Sequence, residues 1–82
     1  MLVKKCLKKD YYDDQDIFDL LSENTESVMY ASYGLYLVFD GECLWLSDTP
    51  TEAHTLGEII GRFFYEDGSY IFRFIAGREE FI

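Results

Sequence analysis

The sequence predicts an α+β domain: a small antiparallel sheet built on a hairpin at residues 35–47, with helices packed on it in the order α-β-β-α-β. Three observations predict it. Apolar and aromatic runs flank Asp40-Gly41, a dipeptide suited to a two-residue hairpin turn. Asp13 and Asp14 precede residues whose apolar members recur at helical spacing. Thr49-Pro50-Thr51-Glu52 has the form of a helix N-terminus.

At 82 residues the chain is expected to form one domain, 1–82. Folding would bury roughly 60–65% of the unfolded chain's surface. The composition, 49% hydrophobic and 18% aromatic, is that of a globular protein rather than a disordered one. The segment 1–9 carries all four lysines, Lys4, Lys5, Lys8 and Lys9, around Val3, Cys6 and Leu7. It fits an edge strand or a helical turn equally well. Its lysines would neutralise part of the acidic run that follows.

The acidic segment 10–26 should contain a helix over Asp14 to Glu23, capped by Asp13 or Asp14, because a carboxylate there satisfies free N–H groups and the helix dipole. Ile17, Leu20 and Leu21 would face inward, and Asp16, Asp19, Glu23 and Glu26 outward. From Val28 the pattern turns to strand, so 28–48 is the hairpin region, with Tyr30, Tyr33 and Tyr36 as sheet residues. A two-residue turn at Asp40-Gly41 would set Phe39 opposite Glu42, Val38 opposite Cys43, Leu37 opposite Leu44 and Tyr36 opposite Trp45. Leu35, Leu37, Leu44 and Leu46 then share one face, and Tyr36, Val38, Cys43 and Trp45 the other. With both faces apolar, the hairpin needs cover on both sides, from helices or from a second subunit, and a homodimer is expected.

A second helix is expected over 50–64, started by a Thr49/Glu52 capping box. Ala53, Leu56, Ile60 and Phe63 would form its buried stripe, and Ala53, Gly57 and Gly61 a ridge for close approach. Glu66-Asp67-Gly68-Ser69 reads as a turn, 70–76 as a strand, and Gly77 as its end.

Charge is the most distinctive feature. The net charge is −9. The 52 residues from Asp10 to Gly61 contain no Lys or Arg and twelve Asp or Glu, seven of them between Asp10 and Glu26. One-sign fields destabilise a compact state by self-repulsion. Such a balance argues against direct contact with nucleic acid or an anionic membrane, which need cations. It favours a basic partner.

Tyr11 and Tyr12, inside the acidic run, could add amphipathic contact area. The candidate partner-binding set is therefore Asp13, Asp14, Asp16, Asp19, Glu23, Glu26, Tyr11 and Tyr12. Catalysis is not expected: His54 has no motif around it that would join it to Cys43 or to a Ser-His-Asp set. The Asp10–Asp16 run lacks the glycine and terminal glutamate of a calcium loop. No cofactor and no metal are expected. Two cysteines, Cys6 and Cys43, are too few for a disulfide framework, and reduced thiols in the cytoplasm are the expectation.

In size, acidity and aromatic content the chain resembles the small phage-encoded DNA mimics and host-takeover inhibitors, among them antirestriction proteins, anti-CRISPR proteins and uracil-DNA glycosylase inhibitors. The resemblance is one of compositional type, without a shared motif. It implies a viral protein, often dimeric, acting in the host cytoplasm by covering the nucleic-acid site of a nucleoid protein, nuclease, polymerase or CRISPR effector. Two alternatives share much of this physics. One is an immunity protein or antitoxin masking a basic nuclease toxin; the other is an acidic structural or assembly subunit.

Overall fold

A computed structural model describes residues 2–6, 13–31 and 34–74, and the backbone of 79–81. The architecture is α+β. A six-stranded antiparallel sheet has the order β1-β3-β2-β4-β5-β6. Its strands are β1 (Leu2–Lys5), β2 (Leu35–Phe39), β3 (Leu44–Ser47), β4 (Glu58–Glu66), β5 (Ser69–Phe74) and β6 (Glu79–Phe81), and its helices α1 (Asp14–Ser22), α2 (Thr25–Tyr30) and α3 (Pro50–Leu56).

The strand order explains where the helices lie. β1 and β2 flank β3 antiparallel to it, so they are parallel to each other, and α1–α2 cross over between them. β3 and β4 flank β2 in the same way, pointing the opposite direction, with α3 as their crossover. Crossovers between parallel strands are almost always right-handed. Two that advance the same way along a sheet, between strand pairs of opposite direction, must then use opposite faces.

The burial agrees. Leu20, Leu21 and Val28 from the first crossover form one core with Leu35, Leu37, Leu44, Leu46, Phe63 and Phe72. Ala53 of α3, and Val38 and Ser47 on the reverse face, are buried outside that cluster. The cover that the hairpin needs thus comes from the chain's own helices, so its two apolar faces give no ground for a second subunit.

α1 starts as the sequence indicates, on Asp13. The Asp13 carboxylate accepts from the Asp16 N–H at 2.9 Å, and the Asp16 carboxylate accepts from the Asp13 N–H at 3.1 Å. This reciprocal capping box holds Asp16 inward at 7% exposure. The region from Val28 is not yet strand. Asn24 closes α1 by donating from Nδ2 to the Leu20 carbonyl at 2.8 Å, and its own carbonyl accepts from the Val28 N–H. A second helical turn follows. It seats Val28 in the core and leaves Tyr30 on the helical layer.

The hairpin keeps the predicted facing but slips by two residues: Phe39 pairs with Leu44, Val38 with Trp45, Leu37 with Leu46 and Tyr36 with Ser47. An even slip preserves the faces, because side chains alternate with period two. The connection is a four-residue loop closed by the Asp40 N–H donating to the Cys43 carbonyl. The tight turn with positive φ at both central residues occurs instead at Asp67-Gly68, between β4 and β5.

The second helix is half as long as expected. It begins with Pro50 at its first turn, but Thr49 makes no side-chain cap. Glu52 accepts from the Ser47 hydroxyl at 2.8 Å, so the predicted capping box is replaced by a tether to β3. The helix stops at Leu56, and Glu58–Glu66 is a strand rather than its second half. Ile60 and Phe63 match the helical spacing, yet EIIGRFFYE is rich in β-branched and aromatic residues that fit a pleated sheet. Gly57 and Gly61 do provide close approach, but to other elements. A Cβ on Gly57 would lie 2.5 Å from the Phe39 carbonyl oxygen. One on Gly61 would lie 2.6 Å from the Phe72 ring and 2.7 Å from the Arg73 carbonyl oxygen.

Extending the β1–β3 register by one residue sets Cys6 opposite Cys43. They form a disulfide, with Cα atoms 4.4 Å apart. That is the close spacing of an antiparallel pair without mutual hydrogen bonds, where side chains approach best. The expectation of reduced thiols is corrected. Closing a loop over a sequence separation of 37 should stabilise the fold by roughly 2–4 kcal/mol, by restricting the unfolded chain.

Gly61→Ala must push the Phe72 ring or the β5 backbone aside. It should lower stability by about 1–3 kcal/mol, read from the urea midpoint with an unchanged slope.

Candidate functional site

Helix α1 presents Asp14, Gln15, Phe18, Asp19, Ser22 and Glu23 on the side away from the sheet, and α2 adds Glu26, Met29 and Tyr30. Of the predicted carboxylates, Asp13, Asp14, Glu23 and Glu26 are exposed and Asp19 is half-buried. Asp19 accepts from Gln15 Nε2 at 2.8 Å. Asp16 does not join them: its carboxylate is held in the cap, because N3 of a helix starting at Asp14 is the position that reaches back to the cap N–H. Asp13 shares that cap while remaining open to solvent. Tyr11 and Tyr12 lie outside the described residues.

Sequence reasoning missed the apolar members of this surface. Phe18 is 46% exposed, Met29 48% and Tyr30 82%. Spacings of four residues make Asp14 and Phe18 neighbours on α1, and Glu26 and Tyr30 neighbours on α2. Phe18 could have been found from the α1 pattern, since it falls off the stripe made by Ile17, Leu20 and Leu21. Tyr30 could not, because its exposure depends on a second helix that the sequence does not announce. Aromatic residues and methionine exposed beside carboxylates are what protein interfaces favour.

Three of the four described cations are placed elsewhere. Lys4, Arg62 and Arg73 project from the sheet face opposite α1 and α2. Lys4 lies over the Trp45 ring at 4.8 Å, and Arg62 and Arg73 lie 4.7 and 5.3 Å from the Phe64 ring centre. The fourth, Lys5, alternates in register with Val3 and so falls on the sheet face covered by α1 and α2.

The hairpin loop is a second organised polar site. Asp40 Oδ1 accepts from the backbone N–H groups of Glu42 at 2.8 Å and Cys43 at 2.7 Å, and Oδ2 accepts from Trp45 Nε1 at 2.8 Å. The Cys43 and Trp45 bonds, the Glu42 bond and the nearby Lys4 charge hold the Asp40 carboxyl down at about 2. Every acceptor position in use serves the loop itself, so the site is structural.

His54 is exposed on α3, and the Cys43 sulfur is engaged with Cys6. Among the described residues, no three His, Cys, Asp or Glu side chains come together to hold a metal, and no helix is long and apolar enough to cross a membrane. Comparison with protein-family models, characterised proteins and solved structures gives no match.

The Asp40 carboxyl is lower when folded than its ordinary value of 3.8. Its stabilising contribution is thus complete above pH about 4 and is lost as pH falls through about 2. Asp40→Asn cannot accept the Trp45 N–H while its carbonyl serves the backbone. The variant should be less stable than the parent at pH 7, with the gap narrowing between pH 4 and 2 in urea titrations followed by Trp45 fluorescence.

Proposed function

We propose that the outer face of α1 and α2 docks on a basic protein surface, and that the protein works as an inhibitor by occupying a site otherwise used by nucleic acid. One observation carries this reading. Asp14, Asp19, Glu23 and Glu26 stand on a two-helix layer that has no Lys or Arg of its own, interleaved with exposed Phe18, Met29 and Tyr30. A merely solvated acidic face has no use for three large apolar side chains, whose exposure is unfavourable in water. A docking face uses both kinds of group. The carboxylates steer encounter with Lys and Arg, and the apolar residues hold the complex once water is expelled. Binding rather than catalysis is the proposed activity.

The supporting physics also separates the two contributions experimentally. Affinity selection on a panel of basic nucleic-acid-binding proteins supplies the target, and duplex DNA should then compete with this protein for it. Simultaneous binding of DNA and protein would rule out occupation of the same site. Changing Asp14, Asp19, Glu23 and Glu26 together to Asn or Gln should weaken binding about 10–100-fold, assuming roughly 0.3–0.7 kcal/mol per exposed charge, and flatten its salt dependence. Phe18→Ala with Tyr30→Ala should weaken binding by a similar factor while leaving the salt slope as it was. Asp16 is left intact in both sets, because its loss would undermine α1.

Reduced thiols would imply a cytoplasmic setting. The Cys6–Cys43 bond instead favours action where disulfides persist. Alkylation of protein trapped directly from producing cells distinguishes the two: blocked, unreactive cysteines support the oxidised setting, and two alkylated thiols in folded, active protein return the proposal to the cytoplasm.

A further inference from the structure

Strand β1 is lightly anchored. It lies at the edge of the sheet, and its backbone pairs with β3 alone, over four residues. No side chain of Leu2–Lys5 is fully buried: Leu2 is 42% exposed, and Val3 only partly enters the core. Lys4 over Trp45, and the chain's amino group that holds the Asp48 carboxyl below its ordinary range, are surface attractions that contribute little. Ordering four residues costs more conformational entropy than so little burial offsets. The fully buried cluster holds no residue of β1, drawing instead on α1, α2, β2, β3, β4 and β5. Among the described contacts, the Cys6–Cys43 bond is therefore the main hold on β1.

We propose that this disulfide is a redox latch: its reduction by a dithiol releases Leu2–Cys6 from β3 and leaves the remainder of the fold in place. Cys6 is exposed, whereas Cys43 is only 2% exposed, so the accessible sulfur is that of Cys6. A thiolate of the reductant attacks Cys6 Sγ, the S–S bond breaks, and Cys43 leaves as a thiolate that takes up a proton. The reductant's second thiol then attacks the mixed disulfide, freeing Cys6 as a thiol and closing the reductant's own disulfide. Two electrons pass to the protein. Asp40 still accepts from the Glu42 and Cys43 N–H groups, so the loop keeps its shape without the covalent bond. What opens is the outer edge of β3. The Asp40 N–H donates to the Cys43 carbonyl, which turns the backbone groups of Cys43, Trp45 and Ser47 toward β2; by alternation those of Leu44 and Leu46 face β1. An open edge is a template for a further strand, so the latch decides whether the protein exposes one. The inference does not rest on the docking face of α1 and α2.

Hydrogen exchange on the intact protein, read amide by amide before and after addition of dithiothreitol, tests the latch. Protection at Val3, Lys5, Leu44 and Leu46 should fall about tenfold or more, as a local unit opens, while Trp45, Ser47 and the amides of β4 and β5 keep theirs. Trypsin should cut after Lys4 or Lys5 correspondingly faster in the reduced protein. Cys6→Ser alters an exposed side chain; it should show the reduced pattern without dithiothreitol and no further change with it. Unchanged protection in β1, once mass spectrometry shows two thiols, would overturn the latch, because the strand's other contacts would then suffice to hold it. Equal loss at Trp45, Ser47 and across β4 and β5 would overturn it as well, by showing that reduction unfolds the whole domain.

Discussion

Strand β2 buries Leu35 and Leu37 on one face and Val38 on the other. Leu35 and Leu37 are sealed by α1 and α2, Val38 lies under α3, and β3 and β4 occupy both hydrogen-bonding edges. Burial of this strand on two faces is what the remaining structure has to provide. The two crossovers lie on opposite sides because their strand pairs run in opposite directions. Each helix is then required to be amphipathic and short. α3 needs only Ala53 to meet the sheet, and the small side chain permits the close approach that Gly57 continues against the Phe39 backbone.

That arrangement also sorts the charges. The first crossover carries the acidic segment, so its carboxylates cannot avoid lying on one side of the sheet. The arginines follow the cation-free span, on β4 and β5, where alternation turns Arg62 and Arg73 to the other side. Asp13, Asp14, Asp16, Asp19, Glu23 and Glu26 are thereby gathered on the helical layer, where neighbouring carboxylates repel one another. Exposed Phe18, Met29 and Tyr30 on that same layer add a second unfavourable feature. A partner bringing positive charge and apolar surface would relieve both.

The edge of the sheet beside β3 is secured by two local devices with different physical origins. Asp40 organises the loop through three accepted hydrogen bonds, two from backbone N–H groups and one from Trp45. The disulfide fastens Cys6, just beyond β1, to the end of the same loop. Together they make the wider hairpin connection rigid. A two-residue turn at Asp40-Gly41 would have placed Cys43 inside the ladder opposite Val38. The slip by two residues instead leaves Cys43 at the strand's start, where β1 can reach it.

The sequence by itself determined the features whose causes lie within a few residues. These are the Asp13 cap of α1, the inward Ile17, Leu20 and Leu21, the opposed faces of the 35–47 hairpin, the Pro50 helix start and the turn at Asp67-Gly68. It also showed the absence of cations from Asp10 to Gly61, which follows from composition alone. Tertiary structure decided whatever depended on strand order. Residues 58–66 obey a helical period nearly as well as a strand one, and only pairing with both β2 and β5 selects the strand. Asp16 looks like one carboxylate among several until the helix start places it in the cap. Tyr30 becomes an exposed residue only because a second helix precedes β2. Cys6 meets Cys43, and Arg62 meets Arg73, through register between segments far apart in the chain. No local pattern encodes such a register, because it is set by which faces the whole sheet must bury.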